Sequence, residues 1–194
     1  MIEAPVIRPT FHHFNLKTRR LHEMRDWYRL LVGAEVVFEN DIGSWLSNDE
    51  ANHRIALLAF PGFVDDPDKE TRTGLHHAAF EYASFKDLNK SYIRLRDAGI
   101  SPHFCLDHGP TFSYYYSDPD GNHVELQSDN FGDWAASREW IRTNAQFHSN
   151  PIGVFVDPEQ VAAAAEAGEP FAEIHRRAMA GEFAPAEPPI DVPA

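Results

Sequence analysis

Three residues with the chemistry of metal ligands, His13, His77 and Glu125, lie far apart in the chain but at matching places in segments that read as strands. Two neutral imidazole nitrogens and one carboxylate oxygen gathered on one face would hold a divalent cation. They would also leave coordination positions open for a substrate and a small molecule such as dioxygen. Iron(II) is the first metal this donor set suggests, and manganese(II) accepts the same ligands. A structural zinc site fits poorly, because the chain has a single cysteine, Cys105, and no fourth ligand stands out.

Strand parity selects these residues, since successive side chains of a strand point to opposite faces. Over residues 11–18, Phe14 and Leu16 form an apolar face, which leaves His13, Asn15 and Lys17 on the polar one and puts His12 on the apolar side. Over residues 75–82, Ala78, Phe80 and Tyr82 are the apolar set, so His77 and Glu81 share the other face. Over residues 122–127, Val124 and Leu126 form the buried stripe opposite His123, Glu125 and Gln127. His12 and His76 are the rival ligands, because a one-residue slip exchanges each for its neighbour. Asn15 and Lys17 would line a pocket beside His13 or its solvated rim. His123 reads as a cross-strand or solvent-facing residue, and His22, His103, His148 and His175 as surface or packing residues.

The run Asp118-Pro119-Asp120-Gly121-Asn122 has the composition of a turn between strands. A hairpin closed there with Ser117 opposite His123 sets Tyr115 across from Glu125, so a phenol would sit beside the candidate carboxylate ligand. Phe112, Tyr114 and Tyr116 would then point the other way, into the core.

The elements that must position these groups recur with a period of roughly 65 residues. Each histidine pair is followed by an amphipathic helix, expected over 21–32 and 85–98, which Gly33 and Gly99 would stop. Three short strands then follow in each half, at 35–38, 43–47 and 53–60 and at 101–105, 111–117 and 122–128. The expected fold is α+β: paired βαβββ modules, about 10–60 and 74–128, forming a cupped mixed sheet within a domain spanning 9–130. A turn-rich connector, 61–74, joins the modules as a linker or a flap. Beyond it, a helical arm is expected over 131–183, with helices near 134–142, 158–167 and 170–180, and a Pro-rich tail over 184–194. The aromatic residues Phe131, Trp134, Trp140, Phe147 and Phe155 would pack this arm, or in part roof the substrate.

Composition narrows the partners. A formal net charge of -13 argues against nucleic acid, which needs clustered cations. No apolar run nears the ~20 residues that span a bilayer, and the first residues lack the pattern of a signal peptide, so a cytoplasmic protein is expected. Sheet edges and an apolar arm suggest a homo-oligomer.

The double βαβββ pattern with His13, His77 and Glu125 at these places resembles the vicinal oxygen chelate superfamily, and within it the one-domain extradiol catechol dioxygenases. The stretch from His108 through Tyr115 and Asp118-Pro119-Asp120-Gly121 to Glu125 follows the extradiol signature, with Leu106 and Tyr114 departing from it. The segment Asn52-His53-Arg54-Ile55 resembles the strand bearing the family's catalytic histidine. The resemblance implies the glyoxalase/bleomycin resistance/extradiol dioxygenase fold and an iron(II) enzyme. Such an enzyme cleaves an aromatic vicinal diol with O2 beside, not between, its hydroxyls. His53 would then be the acid/base, Tyr115 would hydrogen-bond a substrate oxygen, and His108 would support that hydroxyl. Relatives in the superfamily also include isomerases, epimerases and lyases that use a metal, and resistance proteins that bind a drug without one.

Overall fold

Two βαβββ modules follow one another in the computed structural model, which describes residues 6–187 and 189. They fall in two compact units, one ending at Arg72 and one beginning at Thr73.

In the first unit, β1 (Phe14–Lys17) leads into α1 (Leu21–Val32), followed by β2 (Glu35–Asn40), β3 (Gly43–Ser47) and β4 (Ile55–Leu58). The sheet order is β1-β4-β3-β2, with β1 parallel to β4 and the other pairs antiparallel. Helix α1 forms because Leu21, Met24, Tyr28 and Leu31 recur at helical spacing, and burying that stripe is what holds an isolated short helix together. It ends at Gly33, whose φ of 68° is left-handed backbone that a side chain would resist. Met24, Tyr28 and Leu31 share the core with Leu46, Ile55 and Leu57, all fully buried.

The second unit repeats the plan. Strand β5 (His77–Tyr82) precedes α2 (Phe85–Asp97), β6 (Phe104–Asp107), β7 (Thr111–Ser117) and β8 (His123–Asp129). Its sheet runs β5-β8-β7-β6, the same order as the first, with β5 parallel to β8. Leu88, Tyr92 and Leu95 of α2 are buried with Phe112, Tyr114, Tyr116, Val124 and Leu126. The β7–β8 turn closes on Asp118, whose Oδ1 accepts the N–H groups of Asp120 and Asn122 at 3.0 and 2.8 Å while Oδ2 accepts from Asn122 Nδ2 at 2.7 Å.

The arm adds α3 (Trp134–Thr143), α4 (Ala145–Ser149), β9 (Val154–Phe155), α5 (Pro158–Glu166) and α6 (Phe171–Met179) to this unit. Short α4 and β9 are absent from the sequence expectations. Strand β9 pairs with the edge of β6, Leu106 opposite Phe155, and gives the second sheet a fifth strand. Several strands differ in extent from the sequence reading, and for β6 and β4 the cause is visible. The segment expected at 101–105 lies at Phe104–Asp107, because Pro102 has no N–H to donate and the ladder opens with His103 N donating to Tyr115 O. The strand expected from 53 begins at Ile55, because residues 49–54 form a turn built on an Asp49–Arg54 ion pair. No helix among the described residues is long and apolar enough to cross a membrane.

Candidate functional site

Strand pairing in the second unit assembles four of the expected residues. Parallel β5 and β8 set Ala79 opposite Glu125, which brings His77 diagonally onto the same face, with Nε2 3.0 Å from Glu125 Oε2. Antiparallel β7 and β8 set Tyr115 opposite Glu125 and Ser117 opposite His123, the register expected from the turn. Tyr115 Oη donates to Glu125 Oε1 at 2.9 Å. His108, just past the end of β6, places Nε2 2.9 Å from the same phenol oxygen and Nδ1 2.6 Å from Ile152 O.

The electrostatics follow from burial and donors. Glu125 is only 5% exposed. Burial pushes its carboxyl up, but hydrogen bonds from His77, Ser113 and Tyr115 outweigh that and hold it below the usual glutamate value. It therefore remains an anion, as a metal ligand must. Burial, followed by the charge of Glu125, pushes the Tyr115 phenol well above its ordinary value, so it keeps its proton. Burial lowers the His108 pKa, which makes the ring neutral at ordinary pH. Since the Ile152 carbonyl can only accept, His108 carries its proton on Nδ1 and turns a lone pair toward Tyr115.

Beside Tyr115 lies an apolar wall, of which the sequence reading named Phe155 among the arm aromatics but not Phe104 or Leu106. Phe104 stacks on the Tyr115 ring at 4.4 Å, and Leu106 and Phe155 pack with them. The register of β6 would have revealed Phe104, which pairs directly with Tyr115; the two-residue strand carrying Phe155 has no pattern long enough to read. Of the other arm aromatics, Trp140 gathers Phe131 and Phe147, and its ring covers Gly109, while Trp134 donates to Glu81. His175 is no plain packing residue: its Nδ1 lies 2.6 Å from the buried Asp107 carboxylate.

The first unit holds His13 and His53 together, their ring centroids 4.3 Å apart. His12, expected on the apolar side, is instead exposed, with Nδ1 3.0 Å from His13 Nδ1 and its ring 5.2 Å from His53. The reason is that regular strand begins only at Phe14, so alternation does not extend back to residue 12. Among the described residues, His12, His13 and His53 have nitrogens within 4.8 Å of one another and could themselves surround a cation. The His53 pKa is lowered, first by burial and then by the two neighbouring imidazoles, so it is poised as a neutral base. Arg54 fixes the approach of this segment, pairing with Asp49 at 2.8 Å and donating from Nη1 to His12 O at 2.8 Å. Asn15 is exposed on β1, opposite Ala56.

Comparison with known proteins agrees with this architecture. The family model for the Glyoxalase/Bleomycin resistance protein/Dioxygenase superfamily matches residues 10–126. The chain is 40% identical to biphenyl-2,3-diol 1,2-dioxygenase 3 of Rhodococcus globerulus over 90% of its own length and 91% of that protein's. It is 38% identical to biphenyl-2,3-diol 1,2-dioxygenase 2 of the same organism, over 91% and 92%. A glyoxylase/bleomycin resistance protein/dioxygenase domain from Frankia sp. EAN1pec shares the fold, with a TM-score of 0.52 at 23% identity over 63% of this chain and 99% of that one. Two repeated βαβββ modules, the buried carboxylate with its histidine neighbours, and these relatives together make the chain a member of the Glyoxalase/Bleomycin resistance protein/Dioxygenase superfamily.

Proposed function

We propose that the protein is an iron(II)-dependent extradiol dioxygenase, which opens a catechol-type ring beside its two adjacent hydroxyls and incorporates both atoms of O2. The observation that carries this reading is the Glu125 carboxylate, buried yet held ionised, with His77 Nε2 facing it at 3.0 Å. An anionic oxygen and an imidazole nitrogen so close together are donors suited to sharing one cation. The names of the relatives aligned over nine-tenths of the chain support the same chemistry. His13, His77 and Glu125 would hold the metal, with manganese(II) as the alternative ion. Iron(II) would supply the electronic route by which dioxygen reacts with the bound diol.

The chain's own groups do the rest. His53, neutral at ordinary pH, accepts a proton from a diol hydroxyl and later returns one. Tyr115 keeps its phenolic proton, which His108 Nε2 can accept, and its oxygen is left to hydrogen-bond a diol hydroxyl. Phe104, Leu106 and Phe155 offer an apolar face to a planar ring, and Asn15 would meet the substrate's polar edge. Self-association into a homo-oligomer belongs to the same proposal, because edge strand β2 leaves Val36, Val37 and Phe38 exposed.

The test is anaerobic purification, reconstitution with iron(II) or manganese(II), and addition of a panel of vicinal diols that includes biphenyl-2,3-diol. Oxygen uptake matched by a coloured ring-opened product is the expected result. Metal binding without oxygen uptake on any diol would replace the dioxygenase with an isomerase or lyase. A chain that takes up no metal would be a ligand-binding protein instead.

A further inference from the structure

Asp107 ends β6 with a fully buried carboxylate that none of the chemistry above uses. A charge withdrawn from water is costly unless donors surround it, and here three do. His175 Nδ1 lies 2.6 Å from Oδ2, while Gly109 N and Asn130 Nδ2 donate to Oδ1 at 2.9 and 3.1 Å. The donors come from the turn after β6, the end of β8 and helix α6, and they converge on the turn that carries His108. Asn130 grips the same turn twice more, donating from Nδ2 to Gly109 O and from its backbone N–H to Pro110 O, both at 2.9 Å. Helix α6 is itself anchored: Phe171 stacks on Phe85 at 4.6 Å, and Ile174 and Ala178 are buried.

The arm touches this turn a second time, through the Ile152 carbonyl on His108 Nδ1. That approach depends on Gly153, because a Cβ there would lie 2.2 Å from Asp107 O and 2.6 Å from His108 Cα. At 2.6 Å from a carbonyl oxygen, Nδ1 must be the protonated nitrogen; with the proton on Nε2, two lone pairs would face each other.

We propose that His175, acting through Asp107, is a positioning residue for His108. The pair holds the turn so that Ile152 keeps the His108 proton on Nδ1 and Nε2 offers its lone pair to Tyr115 Oη. The phenol's one proton then has an acceptor on either side, Glu125 Oε1 and His108 Nε2, each at 2.9 Å. With the turn loosened, His108 samples both tautomers, and Nε2 alternates between accepting from the Tyr115 hydroxyl and donating to it. The kinetic consequence rests on the dioxygenase reading, whereas the tautomer rests on this geometry alone.

Two measurements test the proposal. In long-range proton–nitrogen spectra of the metal-free full-length chain, His108 should show a protonated Nδ1 and a bare Nε2. His175→Leu should average the two nitrogen signals, and His175→Asn, whose amide nitrogen replaces Nδ1, should restore them. With iron(II) and a catechol, kcat of His175→Leu should fall about tenfold or more, on the scale of lost support for a site residue. KM should stay within about threefold, and His175→Asn should recover most of the rate. If the leucine variant does not fold, His175→Gln, whose amide is displaced from the Nδ1 position, takes its place in both measurements. An unchanged His108 tautomer in the variant overturns the proposal, as does an asparagine variant no better than leucine. If the wild type turns over no diol, the dioxygenase reading fails and the nitrogen spectra alone decide the positioning role.

Discussion

His53 and His108 are both imidazoles that burial keeps neutral, yet their surroundings suit them to different work. His108 is fixed at both nitrogens, by Ile152 O and Tyr115 Oη, and so directs a hydroxyl. His53 packs edge-on or tilted to His12 and His13, and those imidazoles add to burial in lowering its pKa. Replacing it as His53→Phe keeps the ring's bulk and removes both nitrogens. In the proposed mechanism this leaves iron content unchanged and lowers kcat by about 100-fold, the scale of a lost proton-transfer group. Metal analysis beside oxygen uptake checks it, and a variant with full activity would take His53 out of the mechanism. The pairing of Tyr115 with Glu125 was legible from the chain because turn length fixes antiparallel register. The partner of Asp107 was not, since a contact between residues 68 positions apart leaves no local pattern.

At the scale of elements, the turn between β3 and β4 delivers His53, and Asp49 ties it together by accepting from Ser47 Oγ, Ala51 N and Arg54. Arg54 grips Asp49 and the carbonyl of His12 at once, so the residues before β1 and those before β4 are tied together. The Arg54 hydrogen bond, helped by the Ala51 N–H, lowers the Asp49 pKa to about 2. A folded-state value below the unfolded one, about 3.9, means that the fold favours the ionised form. The contribution is therefore fully present above about pH 4 and is lost as pH falls toward about 2. A carbon-detected carboxyl titration should find the Asp49 midpoint near 2 in the native chain, and shifted up toward its ordinary value in Arg54→Gln, where the Ala51 N–H still holds it partly down. A native midpoint near 3.9 would mean that the ion pair does not form in solution. Helices with long apolar periods, α1 and α2, were legible almost to the residue, because their burial depends on spacing alone. Strands β4 and β6 were not, because their limits are set by an ion pair and by a proline at a turn.

For the whole chain, the repeat was the most legible feature: both halves bury one helix on a mixed sheet whose first and last strands are parallel neighbours. The arm was only half legible. Helices α3, α5 and α6 were expected while α4, capped by Asn144, was not, and the Ala-rich run of α5 says little about what it covers. In fact Val156, Val161, Ala162, Ile174, Ala178 and Phe183 are buried core residues of the second unit. Cys105 lies under this layer, 1% exposed, with Val156 N donating to its carbonyl at 3.0 Å. Burial pushes its thiol well above the ordinary value, so it cannot react until that layer opens. Ile174→Ala removes a fully packed side chain from the arm and should cost about 3 kcal/mol, within the usual range for such truncations. If opening of the arm limits labelling, that loss raises the rate at which a thiol reagent modifies Cys105 in native buffer by about 100-fold, since each 1.4 kcal/mol is roughly a factor of ten. Leu30→Ala, on the exposed side of α1 in the first unit, should leave the rate unchanged. Equal labelling of the Ile174→Ala variant and the native chain would show that the arm adds nothing to the closure of the second core.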